Sequence, residues 1–241
     1  MKDKILKHIG KAKWTHLDMF MVIMIELLIF YASMPLIRLF VPEDALLNSI
    51  FVFCLYIFQT VVTLGVLYYF TMYKYGTKIS DFGFKKIKIK KSLLFVFGAW
   101  LMTIFLLMLM STIMIAIMGG EVPGFMQQEE HIPIFGNNSV GYFGLIISAF
   151  IIAPITEEVV FRGFILKGLL KYVSPLSSIL ISSVLFSLLH FEFSSVIPLF
   201  IIGCILGWIF LERKSIYDCL LFHAFNNGFA LIAEFFLSGM I

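Results

Sequence analysis

The sequence predicts an all-α protein that crosses a membrane several times, and three observations predict it. Of 241 residues, 61% are hydrophobic and only 14% are charged, against about 25% charged in a soluble domain. The apolar residues fall into runs longer than the roughly 18 residues a helix needs to cross a bilayer. Short alternating segments of the kind a β-barrel requires are absent. The expected architecture is a bundle of about seven transmembrane helices around an intramembrane polar cavity.

The spans follow in order. The first covers 17–39. It comes after a terminus crowded with Lys2, Lys4, Lys7, Lys11 and Lys13. No small-x-small cleavage site follows it, so it is expected to remain as a span. The second covers 46–72, after a short loop with Glu43 and Asp44. The third covers 93–118, after a loop holding Lys85, Lys86, Lys88, Lys90 and Lys91. The fourth, 141–170, is longer than a bilayer requires and is expected to tilt or begin in the interface. The fifth and sixth, 175–191 and 195–211, are short and close together, which suggests a hairpin. The seventh covers 216–238.

Basic and non-basic loops alternate along the chain. By the positive-inside rule the N-terminus is cytoplasmic and the C-terminus outside. Lysine clusters beside spans report topology and contact with anionic lipid of the bilayer, so no nucleic-acid partner is expected. The loop 119–140 carries Gly119, Gly120, Pro123, Gly124, Pro133, Glu121, Glu129 and Glu130 and no Lys or Arg. It reads as an irregular external connector, with a lid as the alternative. Cys54, Cys204 and Cys219 lack CxxC or zinc-finger spacing and read as packing residues. Residues 1–140 carry N-terminal helices with no specific assignment, and the chemistry concentrates in 141–235.

That chemistry lies in polar residues at membrane depth. An ionisable group there costs about a few kcal/mol or more, so such groups usually line a cavity and act. In Pro154-Ile155-Thr156-Glu157-Glu158-Val159-Val160-Phe161-Arg162, Glu158 and Arg162 are four apart, share a helix face and can pair. Pairing offsets the burial of both charges. Glu157 points about 100° away. A desolvated carboxylate suits a general base near neutral pH. A structural ion-pair network is the alternative for Glu157. Pro154 cannot donate to the carbonyl of Phe150 and is expected to kink the helix, opening a wet pocket beside Glu157.

Phe186 is one turn before His190 and could wall its imidazole. His223 and Asn227 are four apart on the last span and could jointly donate to a developing oxyanion. His8, His16 and His131 lie near water. Glu26, Glu192 and Glu234 are secondary candidates to which no partner can be assigned. Asn226 points about 100° from Asn227 and reads as a packing group.

At these residues the sequence resembles the CAAX prenyl endopeptidase and bacteriocin-processing proteins, also called the Abi family. Its pattern of EExxxR, FxxxH and HxxxN reads here as Glu157-Glu158-x-x-x-Arg162, Phe186-x-x-x-His190 and His223-x-x-x-Asn227. The resemblance covers about 141–235 and implies an intramembrane glutamate protease. It implies that Glu157 and His190 activate water and that His223 and Asn227 stabilise the oxyanion. Glu158 and Arg162 then hold the geometry. It also allows a zinc ion on Glu157, His190 and His223. The absence of an HExxH helix and the presence of an asparagine favour a metal-free site without cofactor.

The implied substrate is a membrane-associated peptide or protein: a prenylated C-terminal motif, a bacteriocin leader or a pheromone. Size and composition suggest a bacterial cell membrane. Two other classes compete. A non-catalytic immunity or scaffold protein has no evident need for so many polar groups at membrane depth. A proton-coupled transporter is expected to show repeated halves, which are absent. Oligomeric state is not legible.

Overall fold

The computed structural model describes residues 2–40, 42–120 and 132–237. Of the described residues 84% are helical, and none lies in a strand. Helix α1 covers Lys2–Ile9, α2 His16–Phe40, α3 Ala45–Tyr73, α4 Ile89–Ile117 and α5 Ile132–Phe135. Helix α6 covers Ser139–Leu169, α7 Pro175–Leu188, α8 Val196–Arg213 and α9 Ile216–Leu237. The protein is thus an all-α, polytopic membrane protein.

Five described helical segments are long and apolar enough to cross a membrane: Ala45–Tyr73, Ile89–Ile117, Ser139–Leu169, Phe193–Arg213 and Ile216–Phe236. Helix α2 has 25 residues. Helix α7 has only 14, about 21 Å of rise against a hydrocarbon core of about 30 Å. The predicted fifth span, drawn to residue 191, therefore ends early, and His190 sits in the turn beyond it. Leu94, Phe105 and Met108 of α4 and Phe58 of α3 are largely exposed, as a lipid-facing surface requires. Residues 121–131 of the loop 119–140, with Glu121, Pro123, Gly124, Glu129, Glu130 and His131, lie outside the described residues, as does the end of the seventh predicted span.

The helices fall into two compact units, each discontinuous in sequence, with breaks inside α6 after Glu157 and inside α9 after Asn226. The first unit holds α1, α4, α7, α8, the second half of α6 and the first half of α9. Here α7 packs on α8 and on the α6 segment Val159–Leu166, and α8 also packs on α4. A Cβ at Gly203 of α8 would lie 3.0 Å from the Ser183 Cβ, so the two backbones approach as only a small residue allows. Helix α1 was not foreseen from the sequence. Ile5, Leu6 and Ile9 form its buried stripe among lysines, a pattern hidden by the charge of the terminus.

The second unit holds α2, α3, α5, the first half of α6 and the second half of α9. Its ends are pinned by polar clamps. The Asn138 side chain caps α6 by accepting from the amides of Val140 (3.1 Å) and Gly141 (3.0 Å). Its amide group donates to Ser49 Oγ at 2.7 Å, so α3 and α6 begin side by side.

Asp18 is buried at the start of α2 and accepts from Lys74 Nζ, Tyr75 Oη and the Thr15 amide and hydroxyl, at 2.6–2.7 Å. The Asp18 amide donates back to Thr15 Oγ1 at 3.3 Å, which completes a capping box. Hydrogen bonding to Asp18 holds both the Lys74 ammonium and the Tyr75 phenol above their ordinary pKa.

Candidate active site

Helix α6 is not regular around the glutamates. It is π-helical over Ser148–Ile152, α-helical over Ala153–Glu158 and π-helical again over Val159–Leu166. Such wide turns are rare and concentrate at functional sites. A π turn immediately precedes Pro154, and it changes which carbonyl the proline leaves without a donor. In the first π segment the Ala153 amide donates to Ser148 O, five residues back. In that register the missing N–H of Pro154 orphans Ala149 O, rather than the carbonyl of Phe150. Asn227 supplies the donor: its Nδ2 lies 3.1 Å from Ala149 O. A carbonyl left without its helix partner at membrane depth is thereby satisfied by a side chain.

In the first unit, Glu158 and Arg162 form the expected pair, Nη1 to Oε1 at 3.1 Å, both essentially fully buried. The same carboxylate oxygen also accepts from His223 Nδ1 at 2.8 Å. Arg162 Nη2 donates to Gly203 O at 3.3 Å, which ties α6 to α8. Ser182 Oγ donates to Phe161 O at 3.1 Å, tying α7 to the second π segment.

Phe186 is the hub of this cluster. Its buried ring lies edge-to-face with His190, centroids 4.5 Å apart, and 6.2 Å from the His223 ring. The Arg162 guanidinium sits 4.6 Å over its face, within cation–π range. One residue from each of three separate sequence motifs thus meets a single aromatic ring. Straight, full-length spans would hold His190 and His223 at different depths. The early end of α7 removes that difficulty.

His190 Nδ1 is 2.6 Å from Phe186 O. A carbonyl only accepts, so Nδ1 carries the proton, and in the neutral ring Nε2 carries the lone pair. His223 Nδ1, facing a carboxylate that already accepts from Arg162, is likewise the protonated nitrogen.

Glu157 belongs to the second unit, where the Tyr56 phenol lies within electrostatic reach of its carboxylate. Sequence reasoning gave no role to Tyr56. A tyrosine in an apolar run carries no periodic signal, and only the packing of the second unit singles it out. The secondary candidates resolve in part. Glu26 Oε2 accepts from Thr63 Oγ1 of α3 at 2.8 Å. Glu192 Oε1 accepts from Ser195 Oγ at 2.5 Å, closing the turn before α8. Glu234 is half-buried near the end of α9. No group of three or more His, Cys, Asp or Glu close enough to hold a metal ion lies among the described residues. The cysteines are free thiols: Cys54 exposed, Cys204 intermediate and Cys219 buried.

Residues 139–229, which carry all of these motifs, match the family described as type II CAAX prenyl endopeptidase Rce1-like. Over this segment the chain is similar to that family. A curated relative, the UPF0177 protein YxdF of Lactococcus lactis subsp. lactis (strain IL1403), is 34% identical over 80 residues. That stretch is 33% of this chain and 44% of the relative, so the match spans less than half of either. No solved structure matches the chain. The CAAX-endopeptidase-like segment begins at α6 and ends within α9, and it includes the Glu158–Arg162–His223 cluster, Phe186 and His190.

Proposed function

We propose that this chain is an intramembrane endopeptidase that hydrolyses a peptide bond of a membrane-associated peptide or protein. The observation that carries this is the shared Oε1 of Glu158, which accepts from both Arg162 and His223 inside the segment that matches the CAAX prenyl endopeptidase family.

Glu157 is the general base, working with His190. The lone pair on His190 Nε2 accepts a hydrogen bond from the attacking water and orients it. As the water oxygen bonds to the scissile carbonyl carbon, one of its protons passes to the Glu157 carboxylate. The carbonyl oxygen becomes an oxyanion and takes hydrogen bonds from His223 Nε2–H and from an N–H of the Asn227 carboxamide. With Nδ1 protonated toward Glu158, donation through Nε2 requires the imidazolium form of His223.

The C–N bond then breaks, and the proton held by Glu157 passes to the leaving amine. Glu158, Arg162 and Phe186 position these groups. No step is routed through a metal. The substrate class is an acyl chain- or membrane-anchored peptide, such as a prenylated C-terminus or a bacteriocin leader.

The test is cleavage of a lipid-anchored peptide by purified full chain in detergent, with Glu157→Gln, His190→Gln and His223→Gln variants. The expected result is cleavage by the parent and a loss of about 100-fold or more in each variant. Full activity in Glu157→Gln overturns the assignment of the base. Variants that still confer immunity in cells while the parent cleaves nothing point to a scaffold. Proton flux without cleavage points to a transporter. Loss of parent activity on adding a strong chelator, restored by zinc, overturns the metal-free mechanism.

A further inference from the structure

The lysine-rich loop is folded into a cleft. Gly83 (φ +95°) accepts at its carbonyl from the Ile216 amide at 2.9 Å. A Cβ at Gly83 would meet the Phe210 ring at 2.8 Å, so this contact requires glycine. Ser215 Oγ donates to Lys85 O at 3.0 Å. These two clamps lay residues 83–91 against the corner between α8 and α9, within the first unit.

The result is a cleft of about 340 Å³ lined by Lys85, Lys86, Lys88, Lys91, Arg213 and Lys214. Asp218 is the one carboxylate in its lining, and Arg213 Nε already engages it at 3.1 Å. Lys85 donates to His8 O. Six cations gathered by backbone clamps repel one another. A fold that clamps them together favours a bound anion.

The surroundings identify which anion. Ile89, Leu93 and Leu94 at the start of α4 are 53%, 51% and 76% exposed. They continue from the cleft onto the apolar face of a helix long enough to cross a membrane. Tyr217, half-exposed at the start of α9, stacks edge-on with Phe84, centroids 5.5 Å apart, an amphipathic ring of the kind enriched at the membrane–water boundary. A cationic cleft that opens onto a lipid-facing helix fits a molecule with a charged head and an acyl tail.

We propose that this cleft binds the phosphate group of an anionic phospholipid, with the acyl chains lying along α4. The site is independent of the hydrolytic residues. Lys86, Lys88, Lys91 and Lys214 supply the charge, and Arg213, held by Asp218 and by Ser92 Oγ at 3.3 Å, supplies a fixed donor fork.

The test is native mass spectrometry of the purified full chain in a neutral detergent. It is titrated separately with phosphatidylglycerol, phosphatidylcholine and inorganic phosphate. Phosphatidylglycerol is expected to bind tightly at one site and phosphatidylcholine weakly. Each lysine near a membrane surface contributes about a fivefold factor in affinity. The triple variant Lys86→Gln/Lys88→Gln/Lys91→Gln is therefore expected to weaken phosphatidylglycerol binding by about 100-fold. Lys90→Gln, an exposed neighbour outside the cleft, is expected to leave it within about twofold. Equal binding of the two lipids, or an equal loss in Lys90→Gln, overturns the proposal. Displacement of the lipid by inorganic phosphate at comparable concentration assigns the cleft to a free phosphate and overturns the lipid assignment.

Discussion

Replacing Glu158 with glutamine keeps the side chain's size and removes its charge. The carboxylate is fully buried, and so is the Arg162 guanidinium it neutralises at 3.1 Å. After Glu158→Gln, Arg162 retains the Gly203 carbonyl at 3.3 Å and the Phe186 ring face at 4.6 Å, but no counter-charge in that pair. Breaking one partner of a buried ion pair costs about 3–5 kcal/mol. The glutamine oxygen still accepts one hydrogen bond, which places the expected loss at the lower end, about 3 kcal/mol. For a chain of this size that is a fall in unfolding midpoint on the order of 6–12 °C.

The measurement is thermal unfolding of purified full chain in detergent, followed by circular dichroism. The companion variant is Glu158→Leu/Arg162→Met. Apolar replacement of a whole buried pair is often neutral or better, so the double variant is expected to recover at least half of the loss. A Glu158→Gln midpoint within about 1 °C of the parent, or a double variant less stable than the single, would refute this account of the buried charges.

Three further outcomes follow from the geometry. Asn227→Ala leaves Ala149 O without a donor and is expected to cost about 1–3 kcal/mol. Adding Pro154→Ala restores a backbone N–H and is expected to cut that penalty by more than half, read as a double-mutant cycle in denaturant unfolding. Phe186→Ala is expected to cost about 3–5 kcal/mol, whereas Phe186→Tyr, read by the same unfolding, retains the ring face and most of the stability.

Asp18→Asn removes the charge that Lys74 and Tyr75 share and is expected to lower the unfolding midpoint at neutral pH. Because Lys74 and Tyr75 are both raised in the folded state, their contribution is complete at neutral pH. It is lost as pH rises through their folded pKa values, and at the acid end as pH falls and the Asp18 carboxylate, held below its ordinary pKa by the same hydrogen bonds, takes up a proton. A pH series of midpoints that shows the parent losing this increment between pH about 5 and 8 would contradict that sign.

Much of the site was legible because its signals are short-range. The i, i+4 spacing of Glu158 and Arg162 predicted a pair, and the same spacing put Phe186 beside His190. Both are present in the structure. What the spacing could not reveal is the second proton donor on Glu158, since His223 is 65 positions away in sequence. Nor could it reveal Phe186 as the ring shared by Arg162 and both imidazoles. Pro154 was recognisable as a disturbance. Which carbonyl it orphaned depended on whether the preceding turn closes at four residues or five.

The hydropathy of the chain alone determined that it is helical and membrane-spanning, because backbone groups in hydrocarbon must be satisfied within each segment. Helical spacing alone determined which side chains share a face. Only the tertiary structure decided where α7 stops, which partner takes the Asn227 amide, and that lysines spread between residues 85 and 214 line one cleft. Those outcomes rest on hydrogen bonds and close contacts between segments far apart in the chain, and no local pattern encodes them.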